Sequence, residues 1–190
     1  MSLKVGVLGS TRGTALQGVL DAVAAGTLDA EIVLVASDKP AAPILERAAR
    51  HGIRVLFIDP AGFTRMAYDQ QVSEALREAG AELVLLVGYM RIVSEQFVNT
   101  WRGRLLNVHP SLLPAFGGLM NMKVHEAVLA AGVSETGCTI HQVTDKVDGG
   151  PIVLQKRCPV LPGDTAEMLK GRVQALEQAA FVEVLHRWRT

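Results

Sequence analysis

KVGVLGSTRGTALQGVL, residues 4–20, is the stretch whose reading decides the fold. KVGVL (4–8) is a short apolar run, GSTRGT (9–14) is a glycine-punctuated turn, and Leu16, Val19, Leu20 and Val23 then recur at the three- and four-residue spacing of a helix. Strand, glycine turn and helix in that order open a βαβ unit. The pattern repeats outward: EIVLVAS (31–37), IRVLFID (53–59), ELVLLVG (82–88) and RLLNVH (104–109) read as buried strands, with helical spacing over 14–26, 42–51 and 63–79 between them. Such alternation predicts an α/β fold, an open twisted sheet with a parallel Rossmann-like N-terminal half and helices on both faces. After Pro110 the pattern changes. TGCTIHQVT (136–144) and PIVLQKRCPV (151–160) read as two strands reversed at DKVDGG, which predicts an antiparallel C-terminal edge. A last helix is expected from Asp164, as N-cap, toward Trp188.

Residues 1–190 are read as one domain, long enough to bury a core without staples. Lys+Arg and Asp+Glu balance at 19 each, so no net field favours a polyanion and nucleic acid is not expected as a partner. The apolar run at the start is too short for a signal sequence or a membrane span, so a cytoplasmic protein without membrane contact is expected. Cys138 and Cys158 stand in β-branched stretches without CxxC or metal-ligand spacing, and are read as buried, reduced thiols; no metal is signalled.

Two places carry chemistry. Gly9–Thr14 sits where a doubly wound sheet offers bare amides and a positive helix end to an anion, and Ser10, Thr11 and Thr14 add hydroxyls. The loop matches neither G-x-G-x-x-G nor G-x-x-x-x-G-K-[ST], so a single phosphate fits better than a nucleotide. The second place is the strand 104–109, whose alternation aims Asn107 and His109 together at the carboxyl end of the sheet. A lone strand-end His is usually structural. Beside a carboxamide it suits acyl-type transfer, Asn107 donating to an oxyanion while His109 handles a proton. Asp145 and Asp148 in the following turn are the candidates to fix the imidazole, although an Asp in a D-G-G turn is more often only a turn former.

GYMRIV (88–93), LLNVHPSLLPAF (105–116), TDKVDGGPIVLQ (144–155) and RVQALE (172–177), in this order, closely resemble the phosphoribosylglycinamide formyltransferases, a branch of the formyltransferase superfamily. The resemblance implies formyl transfer from 10-formyltetrahydrofolate, a co-substrate, to the amine of glycinamide ribonucleotide, with His109 as general acid, Asn107 on the oxyanion, and Asp148 holding His109 and raising its pKa. It implies a folate site at Arg65, at Met90, Arg91, Ile92 and Val93, at Asn107, and at Thr144, Asp145, Lys146, Val147 and Asp148. The ribonucleotide site implied is Gly13, Thr14 and Ala15 for the phosphate, with Gln174, Ala175, Leu176 and Glu177 near the ribose. The partners implied are these small molecules, in a monomer or homodimer.

Two departures stand out. The phosphate loop of the family commonly reads G-S-N-L-Q, whereas here it is Gly13, Thr14, Ala15, Leu16, Gln17, which removes an Asn contact that Arg12 is expected to replace. After Phe116 the usual P-G-L-H-T-H run gives way to the longer GGLMNMKVH, expected as a flexible lid or a plain surface loop, with no role assignable to Lys123 or His125. Another superfamily member, such as methionyl-tRNA formyltransferase or a formyltetrahydrofolate deformylase, is the alternative enzyme; the extra domains those carry are not expected here. A non-catalytic folate or phosphate binder is the alternative of another class.

Overall fold

The computed structural model describes residues 2–188. Among them, β1 (Leu3–Leu8), β2 (Ala30–Ser37), β3 (Val55–Phe57), β4 (Leu83–Leu86), β5 (Leu105–His109), β6 (Glu135–Gln142) and β7 (Ile152–Pro159) form one sheet in the order β3-β2-β1-β4-β5-β6-β7. The first five strands pair in parallel, and β5-β6 and β6-β7 pair antiparallel, as the alternation and the DKVDGG reversal predict. The apolar run 53–59 yields only three paired residues. At the sheet edge, Val55 and Phe57 are exposed, and only Val35–Ser37 face them.

Helices α1 (Thr14–Ala24), α2 (Pro43–Ala49) and α6 (Ala166–Arg187) cover one face of the sheet, where Leu16, Val19, Ile44, Val173 and Phe181 bury against Val5, Val7, Leu83 and Leu85. Helices α3 (Arg65–Glu78) and α4 (Glu95–Thr100) cover the other, with Tyr68, Val72, Leu76, Phe97 and Trp101 against Leu8, Leu34, Val84 and Leu105. Strand period and helix period therefore interlock on both faces, which is what makes a parallel strand apolar throughout. Cys138 and Cys158 are free and buried, as expected, and burial pushes the Cys138 thiol up to about 12.

Three expectations change. Thr165, not Asp164, caps α6: its hydroxyl accepts from Met168 N at 3.2 Å. Asp164 is already engaged by Leu161 N at 2.7 Å and by both terminal nitrogens of Arg172 at 2.7 and 2.9 Å, so the neighbouring hydroxyl takes the amide. Helix α4, capped by Ser94 at 3.3 Å from Phe97 N, is too short for its period to stand out. The segment after Phe116 is only partly a loop. From Met122 to Ala130 it forms α5, which buries Val124, His125 and Val128 and packs on α6. Lys123 and His125 thus belong to a helix, because Val124 and Val128 supply an apolar stripe at four-residue spacing.

Candidate active site

Strand order reverses between β1 and β4, since β1 has β2 on one side and β4 on the other. Loops leaving neighbouring strands there diverge to opposite faces and open a crevice at the strands' carboxyl ends. A cleft of about 390 Å³ lies at that place, a volume in the range of small-molecule sites. Its floor is Leu86, Val87, Gly88 and Asn107 to Pro110, and its walls come from the loop before α1, the 88–93 segment, the 144–148 loop and one face of α6.

Asn107 and His109 share a face of β5, and the antiparallel register sets Asn107 opposite His141 of β6. His109 is 4% exposed. Its Nε2 stands 3.1 Å from the Phe116 carbonyl and its Nδ1 3.3 Å from Asp148 Oδ2. Asp148 also accepts from Gly118 N at 2.8 Å and lies 3.5 Å from His141 Nε2. His141 Nε2 is 3.1 Å from Asn107 Nδ2, and its Nδ1 is 2.9 Å from the Gln142 carbonyl. His141 thus stands between the Asn107 carboxamide and the Asp148 carboxylate, with its Nδ1 against the Gln142 carbonyl. His141 is the member of this network that sequence reading missed. The available signal was its alternation with Thr139 in TGCTIHQVT, but only the register of β6 against β5 reveals its neighbour.

The Asp148 backbone is left-handed, with φ 51°, and so is that of Phe116, with φ 59°. Left-handed backbone at a non-glycine residue costs about 1–2 kcal/mol, and Asp tolerates it better than most. Asp148 is therefore both the turn former and the imidazole's partner, since the turn conformation is what points its carboxylate back at β5.

Asp148 pulls the His109 pKa up, as expected, but burial acts against it. Burial holds the His109 pKa below its ordinary 6.5, outweighing the Asp148 carboxylate and the Phe116 carbonyl, both of which pull it up. The imidazole is flanked by two acceptors, but too little water reaches it for the cation to prevail. Burial would raise the Asp148 carboxyl, yet His141, the Gly118 N–H and the charge of His109 bring it below the usual carboxylate value. In the resting cleft, a neutral imidazole faces a carboxylate.

The formyl transferase family profile matches residues 3–185. The chain belongs to the formyl transferase family. It is 38% identical over 184 residues to phosphoribosylglycinamide formyltransferase of Escherichia coli strain K12, covering 96% of this chain and 85% of that one. It is 45% identical over 185 residues to the trifunctional purine biosynthetic protein adenosine-3 of Drosophila pseudoobscura pseudoobscura, covering 96% of this chain but only 13% of that protein. The chain thus spans a small part of the trifunctional relatives it matches. Glycinamide ribonucleotide transformylase 1 of Symbiobacterium toebii superposes with a TM-score of 0.93 at 42% identity, over 98% of this chain and 87% of that one. The mixed sheet with its antiparallel edge is the architecture of that family.

Within this formyl transferase, most of the expected site residues meet in the cleft. Met90, Arg91, Ile92 and Val93 line one wall, Thr144 to Asp148 another, and Gly13, Thr14, Ala15, Gln174 and Glu177 the far end. Three do not line it. Arg65 is exposed at the first residue of α3, Ala175 is exposed beside Gly18 and Gln178, and Leu176 packs into the core. Helical period explains the last two: Gln174 and Glu177, three apart, share a face that Ala175 and Leu176 leave. Arg12, expected to replace the missing Asn, is exposed and also outside the lining.

Ser10 is no phosphate donor. Its hydroxyl donates to Asp38 Oδ1 at 2.5 Å and accepts from Met90 N at 2.9 Å, while Ser10 N donates to the Gly88 carbonyl at 3.1 Å. The loop after β1 therefore holds the 88–90 segment in place. Gly88 permits the approach: its φ is +61°, and a Cβ there would lie 2.3 Å from Thr11 Oγ1. Behind the segment the Arg91 guanidinium stacks 4.5 Å from the Tyr68 ring centroid, and burial raises the pKa of Tyr89. Glu177 is buried, which pushes its carboxyl up to about 7 against the opposing charge of Lys170.

Proposed function

We propose that this formyl transferase moves the formyl group of 10-formyltetrahydrofolate to the amine of glycinamide ribonucleotide, giving the N-formyl product of de novo purine synthesis. The observation that carries the reading is the convergence of Asn107, His109 and Asp148 in one cleft at the switch point of a formyl transferase fold. Folate lies against residues 90–93 and 144–148, and the ribonucleotide reaches in from the first turn of α1 and from Gln174 and Glu177.

The amine nitrogen attacks the formyl carbon, forming the new C–N bond and placing charge on the formyl oxygen. An N–H of Asn107, whose carboxamide lies against His141, donates to that oxyanion. The neutral imidazole of His109 takes the proton the amine sheds. It becomes the cation that Asp148 stabilises, and passes the proton to the folate nitrogen as the old C–N bond breaks. His109 thus ends the cycle as the general acid that the resemblance implies, but it enters as a base because burial has kept it neutral. All of these groups come from one chain, so the chemistry runs in a monomer or a homodimer alike. No helix of the described residues is long and apolar enough to cross a membrane, and our reading is of a cytoplasmic enzyme.

The test is isotopic. Supplied with 10-[13C]formyltetrahydrofolate and glycinamide ribonucleotide, the protein should yield 13C-formylated ribonucleotide by mass spectrometry. Label recovered only as formate would make the chain a hydrolase, and label remaining on folate would make it a binding protein.

A further inference from the structure

The first turn of α1 is the phosphate end of the cleft in the reading above. Helix α1 opens there with Gly13 in left-handed conformation, no side-chain cap, and no acidic residue in its first turn. Its first amides therefore have no partner from a capping side chain, and the helix dipole favours an anion beside them. Arg12 does not line the cleft and so does not meet that anion.

We propose that Lys170 is the residue that binds the acceptor's phosphate, its ammonium meeting the anion held at the uncapped first turn of α1. This assignment rests on the transferase reading above. Helix α1 packs closely on α6 where Gly18 meets Gln178: a Cβ on Gly18 would lie 2.7 Å from Gln178 Cβ. One turn back along each helix, Thr14 and Gln174 line the same cleft, so the two helices run in the same direction. A further turn back on α6 is Lys170, which also lines the cleft, and α1 has no turn left beside it. Lys170 thus overhangs the first turn of α1, next to the uncapped amides.

Arg91 and Arg47 are committed elsewhere, and Lys146 stands on another wall of the cleft. Arg91 stacks on Tyr68, Lys146 belongs to the 144–148 loop, and Arg47 donates to the Arg12 carbonyl and to Gln17. His125, also in the lining, is 3% exposed and its Nδ1 has no hydrogen-bond partner. Burial, then the charge of Lys170, brings its pKa down to about 4, so it is uncharged at neutral pH. Lys170 itself forms no hydrogen bond or salt bridge among the described residues. Its opposite number is the buried Glu177, two turns along the same face, toward the ribose.

The experiment compares wild type with Lys170→Ala, Lys170→Gln and Lys170→Arg in steady-state kinetics, varying each substrate in turn. A charge-assisted contact is worth about 1.5–3 kcal/mol, so KM for glycinamide ribonucleotide should rise about 10- to 100-fold in the Ala and Gln variants. Turnover number and folate KM should stay within a few-fold of wild type, and Arg should recover most of the loss. Thermal stabilisation by inorganic phosphate, which needs no turnover, should be present in wild type and in the Arg variant, and reduced in the Ala and Gln variants. An unchanged ribonucleotide KM together with undiminished phosphate stabilisation, in an active wild type, would overturn the assignment of Lys170 and leave the transferase reading intact. A wild type that forms no formylated ribonucleotide would overturn the reading itself.

Discussion

His109 is neutral at rest because burial opposes its charge, yet it sits between two acceptors that only the cation can satisfy together. That tension suits a group that must gain a proton in mid-reaction. His109→Ala should lower kcat by about 10²- to 10⁴-fold, the usual worth of a positioned acid-base group, with folate affinity changed little. Equilibrium binding of a formyl-folate analogue alongside kcat separates the two, and near-normal turnover would remove His109 from the chemistry. Asp148→Asn takes away the charge that raises the imidazole pKa, so that pKa should fall further. If neutral His109 accepts the amine proton, kcat/KM is lost as pH drops through its pKa, and in the Asn variant this acid limb should move to lower pH. An unmoved limb would leave Asp148 with the turn alone. At this scale Asn107, His109 and Asp148 were legible because their roles need distinct residue types at a strand end and in a turn. His141 was not, since a neighbour across an antiparallel pair depends on register, which no local pattern states. The upward pull of Asp148 on the His109 pKa was legible too, because a carboxylate partner is visible in sequence; the burial that outweighs it is not.

Among the elements, the loop after β1 and the segment after β4 work as one part. Ser10→Ala would leave the Met90 amide without its acceptor and Asp38, 4% exposed, without its hydroxyl donor. The expected outcome is a several-fold rise in folate KM with kcat nearly kept, and a loss of about 1–3 kcal/mol in urea-unfolding stability. Unchanged folate KM would show that the 88–93 segment holds its shape without Ser10. Sequence patterning located all seven strands, the parallel ones as short apolar runs, and the helices α1, α2, α3 and α6 by their 3.6-residue period. It missed α4, six residues long, and α5, whose glycine- and methionine-rich approach reads as loop until Val124 and Val128 are seen to bury. The same period, applied to RVQALE, separates Gln174 and Glu177 from Ala175 and Leu176. A motif quoted as a string does not make that distinction.

For the whole molecule, buried titratable groups give stability a pH dependence of stated sign. His125 has a folded pKa of about 4 against an ordinary 6.5. Below 6.5 the unfolded chain binds a proton that the folded one refuses, so stability falls as pH drops from about 6.5 toward 4, by on the order of 3 kcal/mol from this residue. His109 acts in the same direction. Glu177 acts in the opposite one: its folded pKa of about 7 lies above the ordinary carboxyl value, so its contribution is held below about 4.5 and lost as pH rises toward 7. His125→Gln should therefore flatten the fall in denaturant midpoint between pH 6.5 and 4, and an unaltered slope would show that His125 is not the buried neutral group described. The layered fold was legible at this scale because alternating strands and helices demand a parallel sheet covered on both faces, whereas the strand order that opens the cleft is set by long-range packing that no local pattern states.

The central claim is that the cleft passes a formyl group to an amine rather than to water or to nothing. It is tested most directly by following absorbance as a 10-formyl folate donor loses its formyl group, with and without glycinamide ribonucleotide. The account predicts turnover only when the ribonucleotide is present; turnover without it, or none with it, would contradict the account.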